Sequence, residues 1–294
     1  MTFAGCFLEH GTFVHWQRHF APPIQPFFVS DTLAQRLLAW PRFTRQEFGK
    51  SGVSLSLHDT FTTYEVAAEA SWVMWLTYEA FSSLGDTEKL SLLKEQRTFG
   101  RGGVVHLTEV AGLLEPHKLE AETVDGLFVW WPQLWARLGE AEKQGVLRTF
   151  IETDRLPCKR GELTHRDWQR IGKRLPEART LAGSFLPDSG GNCFATVMAA
   201  FGAPAVAEVW MHPEPFMRWL GGFALTDSAP PELGDVLIWF GGNAHVQHAA
   251  VSLGRDFVLH KEAQSWAAPR QVMKLGDALT RWQDAGHVSI YRQR

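Results

Sequence analysis

The chain has 294 residues, of which 45% are hydrophobic and 21% charged, a composition typical of a globular protein with a sizeable core. Its formal net charge of −3 provides no basic excess of the kind used to bind nucleic acid or anionic membranes. The three cysteines are an odd and widely spaced set, which does not suggest a disulfide framework.

The N-terminus and the apolar segments predict a cytoplasmic protein without a membrane span. Residues 1–19 lack the basic region and the long apolar region of a signal peptide. The longest charge-free run in the most apolar segment, 70–78, is about half of what a membrane span requires.

The N-terminal part of the chain, residues 1–175, is predicted to be mostly helical. Short strands are expected at 51–58 and 100–107, where glycines bound runs that contain valine and leucine. A long helix is expected over 62–84, and Pro132 is a suitable first residue for another helix.

Proline and glycine gather in residues 176–191, which predicts a boundary between a helix-rich domain, 1–175, and a second domain, 176–294. The second domain is expected to begin with a helix over 193–202. Its β-branched and aromatic runs predict strands at 234–240, 247–254, 256–263 and 287–292. A helix followed by an antiparallel sheet is an α+β arrangement.

Cys193 follows two glycines and Asn192, a good helix N-cap, so the thiol is expected in the first helical turn. Unpaired backbone N–H groups and the helix dipole there favour a thiolate and lower the cysteine pKa. Cys193 is therefore expected to be the most reactive of the three thiols. The alternative is a small buried side chain that happens to begin a helix.

Two histidines are positioned to act on such a thiol. His248 opens one predicted strand and His260 closes the next, and the two strands are joined by a tight turn near Gly254. An antiparallel hairpin would bring the two imidazoles side by side. A thiol nucleophile needs a base, usually histidine, and the base needs a group that orients it.

The order of GNCFATVMAAF, GDVLIWF, HAAVSLG and FVLH resembles the NlpC/P60 superfamily of papain-like cysteine peptidases and amidases over roughly the C-terminal third. The resemblance implies a papain-like domain with its cysteine helix packed on an antiparallel sheet. It implies Cys193 as nucleophile, His248 as base and His260 as the residue that orients the base.

The segment around the nucleophile departs from the family pattern. Members that cleave peptidoglycan usually have D-C-S-G, whereas this chain has N-C-F-A, and Phe185 stands in a segment where the family has a tyrosine. Asn192 and Phe194 are predicted substrate contacts in place of groups that hold a cell-wall peptide. His245 is either a further substrate contact or the base in place of His248.

Metal binding is the alternative use of these residue types, and no metal or cofactor is predicted. HWQRH at 15–19 has Trp16 where a zinc-protease helix has glutamate, so a solvated helix face is preferred. Four residues of the second domain are suitable zinc ligands, although their spacing is not a standard zinc pattern. They are Cys193, His245, His248 and His260.

Two other segments have a simpler interpretation. WWPQLW at 130–135 is more typical of helical core packing than of a sugar-stacking platform. Cys158 lies beside Lys159 and Arg160, which could lower its pKa, but no base is placed for it.

These features together predict a cysteine amidohydrolase or peptidase that cleaves an amide or ester bond through an acyl-enzyme. The expected partner is a peptide-like or acyl-amide substrate, with no nucleic acid and no membrane span. An acyltransferase could use the same residues, and a non-catalytic binding module in stress or defence could keep the same fold. The sequence leaves the oligomeric state open.

Overall fold

The computed structural model describes residues 1–226, 230–242 and 245–294, and it is a mixed α/β protein with antiparallel sheets. Its strands are β1 Thr2–Phe3, β2 Cys6–Phe7, β3 Ile24–Val29, β4 Arg42–Thr44, β5 Trp72–Thr77, β6 Val104–His106, β7 Leu127–Val129, β8 Phe223–Thr226, β9 Val236–Phe240, β10 Val246–Gly254, β11 Phe257–Lys261, β12 Arg270–Lys274 and β13 His287–Gln293.

Its α-helices are α1 His10–Phe20, α2 Asp31–Arg36, α3 Arg45–Lys50, α4 Leu55–Thr60, α5 Tyr78–Ser82, α6 Asp86–Thr98, α7 Pro132–Ala136, α8 Glu140–Glu152, α9 His165–Gly172, α10 Ala178–Leu181, α11 Cys193–Ala200, α12 Pro213–Leu220 and α13 Leu275–Arg281. None of the helices in these described ranges is long and apolar enough to cross a membrane.

The chain divides into two compact units whose boundary differs from the predicted one at 175/176. One unit is Val14–Phe150, and the other combines Met1–Phe13 with Ile151–Arg294. Helices α9 and α10, which precede the predicted boundary or lie beside it, belong to the second unit. Trp168 and Ile171 of α9 are buried in the same core as the helix that carries Cys193.

The unit Val14–Phe150 is rich in helices, as predicted, and also contains a three-stranded antiparallel sheet in the order β3-β5-β4 that was not predicted. The expected helix over 62–84 is instead strand β5 followed by the short helix α5. As the central strand of its sheet, β5 is a continuous apolar run. Periodicity does not distinguish such a run from a buried helix.

Two other local predictions for this unit have opposite outcomes. The segment 51–58 forms helix α4, because the Ser54 hydroxyl caps it by accepting a hydrogen bond from the Leu57 N–H at 3.3 Å. The strand expected at 100–107 is confirmed as β6, which pairs with β7. Core packing of WWPQLW is also confirmed, because its three tryptophans are at most 5% exposed.

The second unit contains a six-stranded antiparallel sheet in the order β12-β11-β10-β9-β13-β8. Strands β9, β10, β11 and β13 confirm the four strands predicted from the sequence. Alternate side chains of β10 enter two different cores. Ala249 and Val251 pack with Cys193 and α11, whereas Ala250 packs with Met273 and α13.

Candidate active site

Helix α11 begins at Cys193 because Asn192 caps it. The Asn192 Oδ1 accepts a hydrogen bond from the Ala195 N–H at 3.1 Å, and its Nδ2 donates to the Met211 carbonyl at 2.8 Å. The cap confirms the helix start predicted from sequence. Both ends of this buried amide hold the fold together, and its role as a substrate contact stays a prediction.

The two glycines before the cap are required by the chain's own backbone. A Cβ at Gly190 would collide with the Glu208 carbonyl oxygen, and one at Gly191 with the Ala207 carbonyl oxygen. The segment 190–193 therefore passes directly against 207–208. This close packing fixes the position of the first turn of α11.

Phe194 packs in the core, and its role as a substrate contact stays a prediction. It is 5% exposed and stacks on Phe216, with ring centroids 4.7 Å apart. His245, the third predicted contact, is exposed and directly follows two residues outside the described ranges. Its role as a substrate contact or as the base stays a prediction.

The Cys193 thiol is neutral at pH 7 in this environment, contrary to the expectation of a thiolate. Burial raises its pKa to about 11, and backbone N–H groups of Ala249, Phe194 and Cys193 itself offset part of that rise. Desolvation therefore outweighs the helix N-terminus. The bond from the Ala249 N–H places the sulfur against β10, one residue beyond His248.

His248 and His260 meet across the β10–β11 hairpin, which confirms that the two imidazoles lie side by side. Their Nε2 and Nδ1 atoms, respectively, are 3.1 Å apart, and both side chains are buried. They are diagonal neighbours in the ladder, because the register pairs Val251 with Leu259 and shifts at the bulge between Ser252 and Gly254. His248 and His260 are therefore not directly opposite each other in the ladder.

Met273 determines which nitrogen of each histidine carries the proton. The Nε2 of His260 lies 2.6 Å from the Met273 Sδ, and a thioether can only accept a hydrogen bond. His260 therefore carries its proton on Nε2, and its Nδ1 accepts from the Nε2–H of His248. In the neutral His248 ring, Nδ1 is then the basic nitrogen.

The two rings are neutral because they are buried. Burial lowers the pKa of His260 to about 4, and burial followed by the neighbouring His260 lowers the pKa of His248 well below 6.5. Within the described parts of the chain, the Nδ1 of His248 has no hydrogen-bond partner. This nitrogen is therefore an unused acceptor on the face of β10 that carries Met273 and Trp282, opposite the face that packs on Cys193.

Two tryptophans fix the plane of the His248 ring. Trp282 stacks on it with centroids 3.9 Å apart and an interplanar angle of 9°, and Trp239 lies at 5.3 Å. Sequence reasoning missed both Met273 and Trp282. Neither belongs to a recognisable motif, and β12 and the end of α13 reach the histidines only through the tertiary fold.

Lys261 is a further charged residue that the sequence did not single out. It is completely buried, and its Nζ donates to the carbonyls of Ala263 and Ser265 at 2.5 and 2.7 Å. Its positive charge lowers the pKa of Cys193, which opposes the effect of burial on the thiol. Lys261 therefore favours ionisation of the thiol.

The Nε2 of His248 and both ring nitrogens of His260 are used in hydrogen bonds. His248 and His260 bond to each other, and His260 bonds to Met273. Among the described residues, His248, His260 and Cys193 belong to no group of three or more His, Cys, Asp or Glu side chains that is close enough to hold a metal ion. In α1, His15 and His19 of the HWQRH motif bond to each other at 2.9 Å.

Comparisons of the chain with models of known protein families, with curated proteins and with solved structures found no match. The argument for function therefore depends on the geometry of Cys193, His248 and His260 themselves.

Proposed function

We propose that the protein is a cysteine amidohydrolase or peptidase of the NlpC/P60 type, with Cys193 as nucleophile, His248 as base and His260 as the residue that orients the base. The observation that carries this proposal is the hydrogen-bonded chain from Met273 through His260 to His248. It leaves a basic nitrogen on His248, whose neighbour Ala249 contacts the Cys193 sulfur through its backbone N–H, while the His248 ring lies on the opposite face of β10 with Met273 and Trp282.

The first step is general-base activation of a neutral thiol. His248 Nδ1 takes the Cys193 proton as Sγ attacks the substrate carbonyl, and a tetrahedral intermediate forms. Within the described ranges, no hydrogen bond joins the Cys193 thiol to the His248 ring before substrate binds, because the ring lies against Trp282 on the face of β10 opposite Cys193. The proposed proton transfer therefore requires β10 to rearrange at His248 when substrate binds.

The first turn of α11 supplies donors for the oxyanion. The backbone N–H groups of Cys193 and Phe194 lie close enough to Sγ to lower the pKa of the thiol. The Asn192 side chain accepts from the N–H of Ala195, so these two earlier N–H groups remain for the developing negative charge.

The second step releases the products. The His248 imidazolium donates its proton to the leaving amine or alcohol, and a thioester remains on Cys193. His248 then activates a water that hydrolyses the thioester. The Nδ1 of His260 stabilises the imidazolium by accepting its Nε2–H throughout.

Acyl transfer is the second candidate function, and burial of the site favours it. Cys193 is 6% exposed and His248 is 1% exposed, so water has limited access to the thioester. An amine or alcohol held beside the thioester would then compete effectively with water. The same residues carry the first step in both reactions.

The experiment uses the full chain with a panel of peptidyl and acyl aminocoumarin amides and the corresponding thioesters. An acyl adduct on Cys193, detected by mass spectrometry, and its absence in Cys193→Ala are expected. Cys158→Ser is the matched control and should keep the adduct. Adding glycinamide separates hydrolysis from transfer. Turnover that persists in Cys193→Ala would refute both candidates.

A further inference from the structure

The N-terminal hairpin carries Cys6 to Cys158 within the second unit. The Cys158 N–H donates to the Ala4 carbonyl at 2.8 Å. Gly5 adopts φ of +71°, and a Cβ there would lie 3.0 Å from the backbone N and O of Cys158. The hairpin turn, which Cys6 follows directly, therefore lies against the Cys158 backbone and brings the two cysteines together.

The two sulfurs differ in their ability to ionise. Cys158 accepts hydrogen bonds from Cys6 and from the backbone N–H groups of Val272, at 3.3 Å, and Arg160, and these lower its pKa to about 6. The bond to Cys158 and burial raise the pKa of Cys6. Cys158 is therefore the more readily ionised of the two thiols.

The two sulfurs also differ in access. Cys6 is fully buried, whereas Cys158 is half-buried and follows Leu156, which is 46% exposed. A small oxidant from solvent therefore reaches Cys158 first. The proposed hydrolase reaction uses neither cysteine, so the pair is a separate chemical feature of the chain.

We propose that Cys6 and Cys158 form a dithiol that reacts with hydroperoxides, with Cys158 as the attacking thiolate and Cys6 as the resolving thiol. The Cys158 sulfur attacks a peroxide oxygen, so an S–O bond forms, the O–O bond breaks and hydroxide or alkoxide leaves. Sulfur is oxidised to a sulfenic acid as the peroxide is reduced.

The second step closes a disulfide. The Cys6 sulfur attacks the Cys158 sulfenic sulfur, an S–S bond forms, and the S–O bond breaks. The Cys6 proton leaves with the hydroxide as water. Because the turn beside Cys6 is packed against the backbone of Cys158, the two side chains begin this step close together. The disulfide links the N-terminal hairpin covalently to Cys158 within the second unit.

The test treats the reduced full-length protein with a stoichiometric amount of hydrogen peroxide, then alkylates the remaining thiols under denaturing conditions. Peptide mapping should show a Cys6–Cys158 linkage, a loss of two hydrogen masses and an alkylated Cys193. The rate of Cys158 oxidation should fall to half its plateau near pH 6, where the thiolate becomes protonated. Cys193 serves as the internal control.

Two variants separate the roles. Cys6→Ser should leave a sulfenic acid on Cys158 that dimedone captures, and Cys158→Ser should leave Cys6 unoxidised. Oxidation of Cys193 ahead of Cys158, or a Cys158 that reacts without linking to Cys6 in the unsubstituted protein, would overturn the proposal. Both outcomes are read from the unsubstituted chain, so the test stands even if a variant fails to fold.

Discussion

Nε2 of His248 lies 3.1 Å from Nδ1 of His260, although the two residues are diagonal and not directly opposite in the β10–β11 ladder. The bulge between Ser252 and Gly254 sets this offset. Because the thioether of Met273 occupies the far nitrogen of His260, the proton positions on both rings follow from one acceptor. Each of these two hydrogen bonds can be tested separately.

Replacing Cys193 with alanine should abolish the acyl adduct and reduce turnover by several orders of magnitude, because the nucleophile of such a set contributes most of the rate. The measurement is turnover of the best amide or thioester substrate, with the acyl-enzyme followed by mass spectrometry. Cys158→Ser is the control and should retain both.

Met273→Leu should slow acylation about 10-fold, because losing one hydrogen bond to a buried group costs about 1–3 kcal/mol. Leucine keeps the volume but cannot accept the His260 Nε2–H. Nitrogen NMR of the imidazoles should then show a changed tautomer at His248. Met273→Gln offers a carbonyl acceptor in place of sulfur and should retain more of the rate. An unchanged tautomer in Met273→Leu would contradict the role of Met273.

Acidification should destabilise the protein through the buried histidines. Burial lowers the pKa of His260 from 6.5 to about 4, so the unfolded chain binds its proton more readily. The stability contributed by the neutral ring is complete above pH 6.5 and is lost as pH falls toward 4, by about 3 kcal/mol at the acid end. Urea unfolding between pH 7 and 4 measures this slope. His260→Gln should flatten it, and an equal slope in the variant would refute the assignment.

Lys261→Met should raise the pKa of Cys193 further above 11, because the variant removes the buried positive charge that favours the thiolate. The rate of Cys193 alkylation by iodoacetamide at pH 9 should fall several-fold, since that rate follows the thiolate fraction. Alkylation of Cys158 in the same sample is the internal control and should keep its pH midpoint near 6. A midpoint for Cys193 that does not move would exclude an electrostatic role for Lys261.

Gly191→Ala should destabilise the second unit by about 1–3 kcal/mol, the usual cost of overpacking, because the added Cβ collides with the Ala207 carbonyl. Gly172→Ala, at the end of α9, is the matched control, since a Cβ there meets nothing within 4 Å. The urea midpoint should fall for the first variant and not for the second. Equal midpoints would show that the backbone at 207–208 shifts to accommodate the added Cβ at little cost in stability.

Local sequence features determined much of the second unit. The Asn192 cap started α11 at Cys193, and alternating or β-branched runs predicted β9, β10, β11 and β13. These signals depend on neighbouring residues only, because caps and strand periodicity are properties of a few consecutive positions. For the same reason, the proximity of His248 and His260 followed from a short hairpin.

Only the tertiary structure decided the chemical state of those residues. The ionisation of Cys193 depends on how deeply α11 is buried, and the proton on His248 depends on Met273 from a separate strand. The assignment of β5 as a strand, and the pairing of Cys6 with Cys158, also required contacts between distant segments. Desolvation and long-range hydrogen bonding are set by the packing of the whole unit, and a linear pattern of residues does not encode them in any local window.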